Sequence, residues 1–153
     1  MTVLLLGHDG ALLEGLAQLF AMAGFQPVIA HDALDAVDLA RAELPIAAVI
    51  DRAIAVADAA ALRIPLAAHG ALVLFRVEHE TAVPLPPAIA RHVVADLTLP
   101  LERQRLLALV RTLSQRERES GRAIGEQPED RARKDNRGTQ RRRGELKDAE
   151  ECI

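Results

Sequence analysis

Short, unbroken apolar runs recur along the chain, and most are followed by a segment with helical spacing. Val3–Leu6 is apolar throughout and stops at Gly7-His8-Asp9. A run this short with no polar alternation predicts a strand buried on both faces, as in a parallel sheet. From Gly10 to Ala23 the period changes: Leu12, Leu13, Leu16, Leu19, Phe20 and Ala23 share one broad helical face, and Gly24 supplies a stop. Pro27–Ala30 predicts a short second strand. Asp32 predicts the cap of a second helix, in which Leu34, Val37 and Ala40 or Arg41 follow the helical repeat. Pro45 ends the linker, and Ile46–Ile50 predicts a third strand closed by Asp51.

Beyond Asp51 the pattern weakens. Asp58–Ile64 predicts a short helix cut off by Pro65, and Ala71–Phe75 a fourth strand. Pro84-Leu85-Pro86-Pro87 restricts the next helix to Pro87–His92, with Pro87 in its first turn. Val93–Leu97 predicts a fifth strand. Pro100 opens a last helix whose stripe is Leu106, Leu107, Leu109, Val110 and Leu113, running past Gln115 before Gly121 and Gly125 break it. The order βαβαβαβαβα with right-handed crossovers predicts an α/β fold: five parallel strands with helices on both faces.

Composition adjusts this picture in three ways. The only aromatic residues are Phe20, Phe25 and Phe75, so the core rests on aliphatic packing. A net charge of −3 in 153 residues gives no support for a nucleic-acid or membrane partner. Charge also divides the chain: residues 1–113 carry 8 Arg and 12 acidic residues, whereas 114–153 carry 11 basic and 10 acidic ones. The expected division is a domain over 1–115 and a charged, disordered tail over 116–153, too poor in large apolar side chains to offset its ordering entropy. Arg141-Arg142-Arg143 lies in that tail, but Glu145, Asp148, Glu150 and Glu151 nearly cancel it. Cys152 is the single cysteine, so no intramolecular disulfide forms. The start of the chain lacks a signal-peptide pattern and no run reaches membrane-spanning length, so the expected location is the cytoplasm.

Candidate chemistry gathers at two strand ends. In open α/β sheets ligands sit beyond the carboxyl ends of the strands, which brings Asp51 and Gly7-His8-Asp9 to one site. His8, Asp9 and Asp51 form a weak three-ligand set for a transition metal such as Zn²⁺ or Mn²⁺. The plain alternatives are a hydrogen-bonded loop role for His8 and, for Asp51, a solvated carboxylate or the cap of the next turn. His31, His69, His79 and His92 share no metal-binding spacing, and no phosphate-binding or dinucleotide glycine fingerprint is present. The first 133 residues contain no lysine. Arg76, at the end of the fourth strand, is the candidate counter-ion for Asp51.

Over about residues 2–115 the chain resembles the response-regulator receiver (CheY-like) domain, a flavodoxin-like three-layer α/β/α fold. The resemblance rests on the spacing from Gly7 through Gly24-Phe25 to Asp51, and on Leu99-Pro100 after the fifth strand. It places Asp51 on the family's phosphoacceptor, Gly7 and His8 on the acidic pair that holds Mg²⁺, and Leu99 on the phosphoryl-contacting Lys. The hydroxyl residue after the fourth strand falls among Phe75, Arg76 and Val77, and the fifth-strand aromatic falls on Asp96. Gly7, His8, Arg76 and Leu99 thus stand as vestigial site positions. Phosphoryl transfer needs cations around the moving charge, and Mg²⁺ wants several hard oxygen ligands. Asp51 with Asp9 and a weak His8 makes a poor magnesium site.

The expected function is an atypical, stand-alone, non-enzymatic receiver in two-component or phosphorelay signalling. It would act through protein–protein contact, with phosphorylation of Asp51 weak or absent. The family analogy puts the contact on the fourth helix, fifth strand and fifth helix. The expected partner is a histidine kinase, phosphotransferase or regulator; a homodimer stays open, and neither DNA nor membrane is expected. The alternatives are a working phosphoacceptor at Asp51 and a flavodoxin-like small-ligand domain unrelated to signalling.

Overall fold

The computed structural model describes residues 1–81 and 83–123. The elements are β1 (Thr2–Leu6), α1 (Gly10–Met22), β2 (Gln26–Ala30), α2 (Ala33–Glu43), β3 (Ala47–Asp51), α3 (Arg52–Ala57), β4 (Ala71–Val77), α4 (Pro87–Ala90) and β5 (Val93–Leu99). One compact unit covers Met1–Glu117. Its last helix, α5, occupies 103–117; residues 118–123, assigned to a second unit, are also helical.

All five strands pair in parallel, in the order β2-β1-β3-β4-β5. The central strands β1 and β3 are buried along their whole length, which is why their sequences show no alternation. Successive side chains still point to opposite faces. Val3, Leu5, Val49, Val73 and Phe75 pack beneath α1 and α5 with Phe20, Leu106 and Val110. Leu4, Leu6, Ala48, Ile50, Leu72 and Leu74 face α2 and α3, where Ala33, Ala36 and Ala40 keep α2 close to the sheet.

Two aspartates cap α1 and α2: Asp32 as expected, and Asp9, which the sequence suggested only as a metal ligand. Asp9 accepts a hydrogen bond from Leu12 N at 3.1 Å and Asp32 from Asp35 N at 2.8 Å. Both carboxylates satisfy amides that the first helical turn leaves without a partner. Gly24, with φ +90°, turns the chain out of α1 into β2, a conformation that a residue with a Cβ resists.

The structure corrects several boundaries. No helix forms over 58–64; α3 begins six residues earlier, directly at Arg52, because Asp51 ends β3 and caps the following turn at the same time. β4 and β5 each run two residues further than expected, to Val77 and Leu99, continuing the β4–β5 ladder. α4 is one turn that stops at Ala90. The last helix starts at 103 instead of Pro100, after a turn in which Glu102 N donates to Thr98 O at 2.8 Å. Gly121 lies within helix. The expected tail from 116 is helical through 123, and its remainder, with Arg141-Arg142-Arg143 and Cys152, lies outside the described residues.

Candidate functional site

Adjacent strand tips build the site. β1 and β3 pair up to Leu6 and Ile50, so the next residues, Gly7 and Asp51, stand side by side. β3 and β4 pair Asp51 with Phe75. All three meet at one point: a Cβ placed on Gly7 would lie 3.6 Å from Asp51 Cβ, 3.0 Å from Phe75 Cζ and 3.3 Å from Leu13 Cδ2. The glycine is therefore a matter of volume, since the Phe75 ring fills the space a side chain at 7 would need. Phe75 is 1% exposed and belongs to the core beneath α1 and α5.

Asp51 is 4% exposed. Its Oδ1 accepts from Ala53 N at 2.9 Å, opening α3. Among the described residues no buried side-chain nitrogen or oxygen lacks a partner, so the second carboxylate oxygen reaches the solvent edge. Leu99 is fully buried in the same core as Phe75, and the Leu99–Pro100 peptide is cis. The Phe75 ring, paired across from Asp51, is the apolar group shown against this strand end.

The other candidates lie apart from Asp51 in chemistry. His8 and Asp9 are exposed, and Asp9 is occupied with capping α1. Among the described residues no group of three His, Cys, Asp or Glu side chains is placed to hold a metal ion. His8, Asp9 and Asp51 therefore do not assemble as a three-ligand set. Arg76 alternates to the sheet face opposite Phe75, and its Nε donates to Thr98 Oγ1 at 3.4 Å on the paired strand. It forms no ion pair with Asp51, so the counter-ion expected there is absent among the described residues. The residues present do not fit Mg²⁺: position 7 has no side chain, and a ring takes up its space.

The cation near the site is Arg52, which sequence reasoning passed over as part of a loop. It pairs with Asp96 of β5, and its Nε and Nη2 both donate to the Val83 carbonyl, Nε at 3.2 Å. One guanidinium so ties the start of α3 to β5 and to the β4–α4 connection. No local spacing announces a contact across 44 residues. The one available hint was Asp96 standing where the resemblance asked for an aromatic.

Glu102 carries the clearest electrostatic effect. Thr98 N donates to its carboxylate at 2.7 Å and Arg105 Nη1 at 3.0 Å. The Thr98 amide first, and Arg105 second, hold its pKa below the ordinary carboxylate value.

No family model and no curated protein sequence matches the chain. Solved structures do. The N-terminal domain of a response regulator/sensory box/GGDEF protein from Carboxydothermus hydrogenoformans superposes with a TM-score of 0.60 at 16% identity, over 81% of this chain and 99% of that one. A CheY-like receiver domain protein from Methanospirillum hungatei gives 0.57 at 16% identity, over 77% and 97%. The pseudo-receiver domain of the CikA protein gives 0.54 at 19% identity, over 74% and 96%. The chain has the CheY-like receiver fold. Within this fold Asp51 stands at the carboxyl end of β3, beside Gly7 and the Phe75 ring. Among the described residues no helix is long and apolar enough to cross a membrane.

Proposed function

We propose that the chain is an atypical receiver in two-component or phosphorelay signalling that works by protein–protein recognition, with phosphorylation of Asp51 slow or absent. The observation that carries this reading is the Phe75 ring against Gly7, beside Asp51. Transfer of a phosphoryl group to a carboxylate develops charge that needs a cation close by. Here the volume beside the acceptor is hydrocarbon, and one acceptor oxygen already serves as the cap of α3. A fixed bridge from Arg52 to Asp96 and Val83 O holds the adjoining elements together without a phosphoryl group.

The recognition surface in this reading is β5 with the start of α5. The β4–β5 register shift leaves Val94 as a bulged, exposed residue near the start of the edge strand β5, and Leu101, two residues past the other end of that strand, is also exposed. The one-turn α4 contributes little to that surface. The partner class is a histidine kinase, phosphotransferase or downstream regulator.

Incubation with a small phosphodonor and Mg²⁺, read by intact mass, tests the first half. The parent and Asp51→Asn should both stay unlabelled over the time in which an ordinary receiver saturates. Rapid labelling of the parent that is lost in Asp51→Asn would replace this reading with that of a working phosphoacceptor.

A further inference from the structure

A large open cavity lies on the opposite face of the sheet from Phe75 and near the amino-terminal ends of the strands. Its volume is about 960 Å³. Leu72 of β4 forms part of its floor, three residues before Phe75 and hence about 10 Å along the strand from the Asp51 level. The cavity exists because little covers this part of the sheet. The segment 58–70 has no regular secondary structure beyond a turn, and α4, confined by the prolines before it, is a single turn.

The lining joins apolar residues with basic ones, three arginines and His92. Leu62, Leu66, Leu72 and Ile89 supply an apolar floor. Three arginines stand around it from three separate segments: Arg41 on α2, Arg63 in the α3–β4 connection and Arg91 just after α4. No acidic residue lines the cavity. The ion pairs Arg52–Asp96 and Arg105–Glu102 lie elsewhere, so among the described residues none of these three guanidinium groups is neutralised by a carboxylate. Three arginines line one largely apolar hollow from which carboxylates are absent.

We propose that this cavity binds a small amphiphilic anion: an apolar body that covers the Leu72 floor, carrying a carboxylate or phosphate that the arginines hold. Arginine presents a planar fork of donors that matches both oxyanions. The apolar floor adds affinity by removing hydrocarbon from water, and the volume suits a drug-sized molecule. Carboxylate and phosphate share this chemistry, and the experiment separates them. The site is independent of the signalling role proposed above, since neither Asp51 nor the β5 surface contributes to it.

The test titrates the full chain with octyl phosphate, octanoate, octanol and inorganic phosphate, all below micelle formation, while methyl and arginine side-chain NMR signals are followed. Octyl phosphate or octanoate should give saturable shifts at Leu62, Leu72 and Ile89, and the tighter of the two names the headgroup. Each of Arg63→Gln and Arg91→Gln should weaken that binding about tenfold, in line with the loss of a charge-assisted hydrogen bond. Arg111→Gln, on the exposed side of α5, should leave it unchanged. Because the substituted arginines are exposed, unchanged unfolding midpoints are expected and would verify intact folds. Octanol binding as tightly as the anions would overturn the proposal, as would shifts from inorganic phosphate alone, equal weakening by Arg111→Gln, or no saturable shift with any probe.

Discussion

Asp51 is occupied by its own chain before any partner arrives. A helix opening at the next residue needs acceptors for its first amides, and the Asp51 carboxylate supplies one to Ala53. Asp51→Ala should therefore lower stability by about 1 kcal/mol, whereas Asp51→Asn, which still caps, should stay within about 0.5 kcal/mol of the parent. Urea titrations of the three proteins check this; equal losses in Asn and Ala would show that charge, and not capping, is what the position supplies. Gly7 makes a matching case for volume. In Gly7→Ala the new methyl group meets Phe75 Cζ at 3.0 Å, and that ring is pinned in the core. Overpacking of this kind costs about 1–3 kcal/mol. In a Phe75→Leu background the added methyl should cost clearly less, since the smaller side chain leaves it room. Strictly additive losses in that double-mutant cycle would mean the two positions do not compete for space.

Where elements begin and end, one residue often has two roles, and this limited what could be read from the sequence. β1, β3, α1 and α2 were readable because apolar runs, periodic faces, the Gly24 stop and the cap Asp32 all agreed. α3 was missed because Asp51 reads as the polar end of a strand, while the same carboxylate starts a helix with no linker between. The entry to α5 was misplaced for a related reason: Pro100 suggested a first helical turn, yet the chain makes a turn closed by Thr98 and Glu102. That closure is sensitive to acid. The pKa of Glu102 is lowered in the folded protein from an ordinary 4.5, chiefly by the Thr98 amide. Its stabilising effect is then complete above the unfolded-state value and disappears as pH falls through the lower folded-state value. The parent should lose stability across that acidic window relative to Glu102→Gln, and the two should converge at the low end. Thermal midpoints measured from pH 6 to pH 2.5 read this, and parallel curves would remove Glu102 from the acid response.

Long-range juxtaposition decides what the molecule can do, and it left the weakest trace in the sequence. Strand order and the meeting of β1 with β3 follow from topology, so Gly7 and Asp51 could be placed together in advance. That Phe75 would turn toward them while Arg76 turned away depended on the parity of β4, fixed only by its pairing with β3. Arg52 reaching Asp96 and the Val83 carbonyl left no trace in local spacing, and the only hint was Asp96 standing where the resemblance asked for an aromatic. This bridge links the middle of the sheet to its β5 edge over the segment where α4 has shrunk to one turn. Its contribution should be local more than global. Asp96 is 36% exposed, so water screens the pair and Arg52→Ala should cost only about 1 kcal/mol in overall stability. Amide hydrogen exchange should show the larger effect, because β5 and the β4–α4 connection lose their shared anchor while β1 and β3 stay buried under helices on both faces. Exchange should quicken in β5 and in that connection and remain unchanged in β1 and β3. Uniform acceleration across the sheet would instead make Arg52 part of the global folding unit, and no change anywhere would leave the β5 edge held by its ladder and Leu97 packing alone.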